Sequence, residues 1–157
     1  MSIKNIEFEN MKQRIQNVFD FKIALERPYK LCDFRPAYGE IFEEEISGYD
    51  FWGHCDFDVI FGDIRKFITE DLLINYNKIF SFGSLSIYKN DHYINKAYRY
   101  NFVDEKHQIS ISYRDIFSSQ ESLVFDEENG LFDIHEIFKK NEYFLLSYIG
   151  TRSNNWH

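Results

Sequence analysis

Two aspartates, Asp56 and Asp58, stand one residue apart in the hydrophobic run WGHCDFDVIFG, and no other pair in the chain is so well spaced for chemistry. Side chains alternate across a strand, so Trp52, His54, Asp56, Asp58 and Ile60 share one face while Phe51, Cys55, Phe57, Val59 and Phe61 share the other. Acids where a core strand would be apolar need a partner, because burying an unpaired carboxylate is costly. Such a pair belongs at a strand end, facing a cation, an Arg or Lys, or open water. A divalent metal carrying a phosphorylated substrate would use both acids together, since hard cations often take only one or two protein carboxylates and complete their shell with phosphates. The plainer alternative is a capped strand-to-helix turn, with Asp56 and Asp58 followed by Gly62 and Asp63.

The elements that must position this pair can be read from hydrophobic spacing. Phe8, Met11, Ile15, Val18 and Phe19 recur at three- and four-residue steps among polar residues and predict an amphipathic helix. A second helical pattern runs through Leu31, Phe34, Tyr38, Ile41 and Phe42 to about Gly48, with Pro36 as a kink or a late start. Glu43, Glu44 and Glu45 near its end read as a solvated face, as the helix dipole disfavours acids there. The strand carrying the aspartates is expected to end at Gly62, with Asp63 capping a short helix through Ile64, Phe67 and Ile68 and Thr69 capping a turn into Leu72 and Leu73. Residues 78–89 read as extended, with a bulge or close backbone approach at Gly83. Residues 108–113 and 123–125 read as strands, Asn129 and Gly130 as a turn, 134–140 as a short helix and 143–149 as a last apolar run. This order suits an α/β or α+β layer better than a bundle or sandwich. The expected organisation is a single domain over residues 1–149, followed by a polar tail at 150–157.

A chain of 157 residues is about one domain long, and its 17 Phe and 11 Tyr argue for a packed interior rather than a disordered acidic chain. A net charge of −8 argues against a general nucleic-acid binder, which needs clustered Lys and Arg. Cys32 and Cys55 are too few for a disulfide framework and read as buried small residues in a reducing compartment. With no charged leader and no apolar run near the ~20 residues of a membrane span, the expected location is cytoplasmic, any membrane contact being peripheral at the inner face.

From Tyr29 to Ile68 the sequence YKLCDFRPAYGEIFEEEISGYDFWGHCDFDVIFGDIRKFI resembles the core of a bacterial glycosyltransferase-like family with a GT-A type fold, found with capsule, lipopolysaccharide and other surface-glycan loci. The likeness extends more weakly from about Ile6 through FGSLSIYKN and fades beyond about Phe138. It implies a Rossmann-like core for nucleotide-diphospho-sugar transfer, incomplete in its N-terminal half because only residues 1–28 precede Tyr29. It also implies a DxD pair, Asp56 and Asp58, binding Mn²⁺ or Mg²⁺ that holds the donor diphosphate, a UDP-sugar being favoured. Asp58 would be the direct ligand, with Asp56 on the ribose or reaching the metal through water. The metal would neutralise charge growing on the departing nucleoside diphosphate. Asp33, on the helix before that strand, matches the family's donor-orienting acid, with Lys30 and Arg35 beside it. Lys30 and Asp33 are also three apart, so an ion pair is an equal reading, and Arg35 is expected to pack and pair at the surface. The acceptor would be a glycan or a lipid-linked sugar. At Gly83 the family's following His is replaced by Ser84, and no catalytic residue is identified.

Two other readings stand beside this one. The same Asp pair occurs in haloacid-dehalogenase-like phosphatases, as nucleophile and as acid or base, but the small residue and Thr that follow it there are missing. A non-catalytic remnant that pairs with another chain is the third, and an apolar face left open would then favour oligomers. A zinc site at His54 and Cys55 has poor geometry, the two facing opposite sides of a strand.

Overall fold

The computed structural model describes residues 3–82, 84–100, 102–104 and 109–126, together with 134, 138, 145 and 146. The first helix, α1 (Phe8–Val18), follows its apolar spacing and buries Met11 and Ile15. The second helical pattern is broken into short turns. A 3-10 turn at Pro28–Lys30 leads into α2 (Leu31–Phe34), a 3-10 turn at Arg35–Ala37, α3 (Tyr38–Ile41) and α4 (Glu43–Ile46). Pro36 lacks an N–H, and the chain tightens into the 3-10 turn around it rather than continuing as one α-helix. Of the three acids that end this stretch, Glu43 and Glu44 are exposed, whereas Glu45 receives a hydrogen bond of 2.6 Å from the Arg14 guanidinium on α1.

Strand β1 (Phe51–Cys55) is shorter than the sequence implies: it stops before the aspartates rather than at Gly62. Residues 57 and 58 form a turn, followed by a 3-10 turn at Ile64–Lys66 and α5 (Glu70–Asn75), which Thr69 caps by accepting from the Leu72 amide. The extended stretch after it is a hairpin of two strands, β2 (Lys78–Phe82) and β3 (Leu85–Lys89). Its register shifts between Ile79 and Phe82, where Phe80 takes a left-handed φ of 69°. Gly83, the expected bulge position, lies outside the described residues. Then come α6 (His92–Asn95), β4 (Phe102–Asp104), β5 (Ile109–Ile111), α7 (Tyr113–Ser118) and β6 (Leu145–Leu146). Ile134 and Phe138 are helical and buried, as the short helix there would require, while the turn at Asn129 and Gly130 and the tail at 150–157 lie outside the described residues.

The fold class is mixed α/β, with a four-stranded sheet in the order β1-β3-β2-β6 and a separate β4-β5 pair. Strands β1, β3 and β2 are antiparallel, and β6 joins the edge parallel to β2. One face of the sheet carries Trp52 and His54 from β1 and Ser86 and Tyr88 from β3, all buried, and packs toward the helices. Trp52 stacks on Tyr88 with ring centroids 4.4 Å apart. Beyond the sheet an aromatic core joins α1, α2 and α7: Phe117 lies 4.4 Å from Phe34 and 5.2 Å from Phe19, with Tyr98 stacked against it at 5.8 Å and Tyr113 edge-on at 5.9 Å. Among the described residues no helix is long and apolar enough to cross a membrane.

Candidate functional site

Where β1 ends, Asp56 still donates its amide to the Ser84 carbonyl at 3.1 Å, one step past the last β1–β3 pair, and the chain then turns away from the sheet. The alternation of the strand holds as far as His54, which is buried, and Cys55, which is exposed. Cys55 is therefore no core residue, and Cys32 is only half-buried. Asp56 and Asp58 thus occupy a strand-end loop, not a strand face.

This loop forms one wall of a cleft of about 720 Å³. Gly53, His54, Cys55, Asp56, Phe57 and Asp58 line that side, and the turns at 28–38 line the other with Tyr29, Cys32, Arg35 and Tyr38. Arg35 joins the walls. Its guanidinium reaches Asp56 at 2.6 Å and the fully buried Asp126 at 2.8 Å. Burial opposes its charge, but the carboxylates of Asp126 and Asp56 outweigh that and hold its pKa above the ordinary value. The expectation that Arg35 pairs at the surface is therefore corrected. Sequence reasoning also missed Asp126, because its partner lies ninety-one positions away along the chain and no local pattern links them.

Asp58 differs from its neighbour. It is exposed on the cleft and makes no hydrogen bond or ion pair with the described residues. Burial pushes the Cys32 thiol and the Tyr38 phenol up, so both sit in the cleft as neutral groups, and Cys32 is not an activated nucleophile.

Lys30 and Asp33 lie elsewhere. They form an ion pair of 2.7 Å that is buried on both sides, the side chains being 2% and 0% exposed. Lys30 Nζ also donates to the carbonyls of Ile116 and Glu121, which closes the end of α7. Asp33 accepts from the amides of Leu123 at 2.9 Å and Phe125 at 3.0 Å. Residues 123–125 are consequently a loop wrapped on a carboxylate, running into a turn at 125 and 126, rather than a strand. The intervening Val124 takes a left-handed φ of 56°, a costly conformation for a β-branched residue, which turns the flanking amides toward Asp33. Neither Lys30 nor Asp33 is among the residues lining the cleft, and their geometry is that of a structural staple.

Among the described residues no group of three or more His, Cys, Asp or Glu side chains is arranged to hold a metal ion. Asp56 and Asp58 could supply two carboxylates, the number a cation needs when a substrate phosphate completes its shell.

The class defined by these features is a mixed α/β domain with a strand-end acidic cleft. Over residues 1–155 the chain matches the family described as "Family of unknown function (DUF6625)", and it belongs to that family. No curated protein and no solved structure matches it.

Proposed function

We propose that the cleft binds the diphosphate of a nucleotide sugar and that the chain is a metal-dependent, GT-A-like glycosyltransferase domain acting in surface-glycan synthesis. The observation that carries this reading is Asp58: an exposed carboxylate without a partner among the described residues, on a cleft whose facing wall supplies the Arg35 guanidinium. A cleft of about 720 Å³ is in the size range of small-molecule sites. Asp58 is the group available to Mn²⁺ or Mg²⁺, and Asp56, already held by Arg35, serves as the second, more constrained oxygen donor. Such a cation would act as a Lewis acid toward the leaving diphosphate. Arg35 is charged at any working pH and places a second positive group on the same anion. Tyr29 and Tyr38 offer rings on the far wall for a base or sugar. The GT-A identity rests on the resemblance at residues 29–68 rather than on strand order, because β1, β3 and β2 are antiparallel. Use of Asp56 as a phosphatase nucleophile is less favoured, since one of its oxygens is held by a guanidinium at 2.6 Å.

Calorimetric titration with UDP and a panel of UDP-sugars, with and without Mn²⁺, tests this reading on the wild type and Asp58→Asn. The expected result is binding that requires Mn²⁺ and is lost in the variant. Equal binding by the variant, or binding indifferent to the metal, would overturn it.

A further inference from the structure

Beyond the cleft, the loop at 57–67 is unusual for its exposed apolar surface. Phe57 and Ile60 are fully or almost fully exposed, at 102% and 96%, and Phe61, Ile64 and Phe67 at 42%, 37% and 58%. Exposed apolar side chains are ordinary when scattered, but a concentration in one short segment marks an interaction surface. The sequence FDVIFGDIRKF also carries two acids, Asp58 and Asp63, and two bases, Arg65 and Lys66, so its formal charge is zero on a chain of net charge −8.

We propose that the 57–67 loop is the contact face of a two-fold symmetric dimer of this chain. Three observations favour a second copy over other occupants. In a two-fold contact the same patch meets itself, so the Asp63–Lys66 pair of one copy, 3.5 Å apart within its own loop, can meet Arg65 and the same pair of the other with signs alternating across the axis, leaving Asp58 on the cleft. The loop is also locally neutral, and two copies of an acidic protein meet there with less repulsion than at an acidic face. Covering the exposed parts of five large apolar side chains on each copy buries on the order of 1,000 Å² over both copies together, the minimum scale of a specific interface. An anionic membrane fits less well, as net charge −8 opposes approach and the two acids offset the two bases.

Phe57 and Ile60 make a clean test, because side chains this exposed contribute little to folding of the single copy. Sedimentation velocity over a concentration series, without nucleotide or metal, is expected to show a monomer–dimer equilibrium for the wild type. The Phe57→Ser/Ile60→Ser double variant is expected to weaken dimerisation by at least about tenfold, with an unchanged far-UV circular dichroism spectrum. A wild type that stays monomeric to about 100 μM, the low end of affinity for a specific complex, would overturn the proposal. So would a double variant that dimerises as well as the wild type, or a wild-type monomer that floats with vesicles of phosphatidylcholine and phosphatidylserine when the double variant does not. Because no ligand is present, the outcome is independent of the donor-binding reading.

Discussion

Asp33 and Asp58 are both acids set among apolar residues, yet the structure treats them in opposite ways. Asp33 is fully buried and its two oxygens accept from Lys30 and from the Leu123 and Phe125 amides. Asp58 is exposed at the edge of the cleft with no such partner among the described residues. A carboxylate whose lone pairs are filled by the fold is a stabilising strut, whereas one left open at a strand end is available to a ligand. The difference lies in the surroundings, since by sequence both are aspartates in aromatic company.

The largest effect expected from breaking this contrast is at Lys30. Lys30→Met removes the cation and leaves Asp33 as a buried charge, with a loss of about 3–5 kcal/mol measurable by chemical denaturation. A loss below about 1 kcal/mol, the scale of an exposed pair, would mean that the pair is not buried as described.

A smaller loss is expected where β1, the strand that leads into Asp56, is locked to the helical side. A Cβ on Gly39 would sit 2.7 Å from Asn95 Oδ1 and 2.8 Å from the Trp52 ring. Asn95 accepts there from Trp52 Nε1 at 2.7 Å and donates to Asn90, which in turn bonds the carbonyls of Ile46 and Tyr49. Gly39→Ala should therefore cost about 1–3 kcal/mol through overpacking, read as a lowered Tm.

Next comes the cap of α7, the helix whose C-terminal end Lys30 closes. Ser112 accepts from the Asp115 amide while Asp115 accepts from the Ser112 amide, and Ser112→Ala is expected to cost about 1 kcal/mol. The hydrogen bonds from Ser112 hold the Asp115 carboxyl below its ordinary value of 3.8, as that from Arg14 holds Glu45 below 4.5. Depressed carboxyl values contribute stability that is complete above the unfolded pKa and is lost as pH falls through the folded one. Acid titration of stability should accordingly fall off below about pH 4, with a shallower slope in Asp115→Asn.

The smallest effect on folding is expected at Asp58. Asp58→Asn should leave stability within about 0.5 kcal/mol of the wild type, as for other exposed positions, while removing metal-dependent donor binding. Together with Lys30→Met, it would separate the strut from the open site.

The sequence by itself determined the elements whose patterns are local. The apolar steps of α1, the Thr69 cap and the break around Pro36 all depend on residues a few positions apart, and they appear in the structure with small shifts of boundary. It also singled out Asp56 and Asp58, because their spacing is a local fact. What only the tertiary structure decided are the pairings across long separations: Arg35 with Asp126, Lys30 with the end of α7, and residues 123–125 turned onto Asp33. The strand ends early for a reason of the same kind, since β1 extends only as far as β3 offers partners. Carboxylates carry no mark of their role in their own identity. Burial and the donors brought to them by distant segments make one a strut and leave the other open.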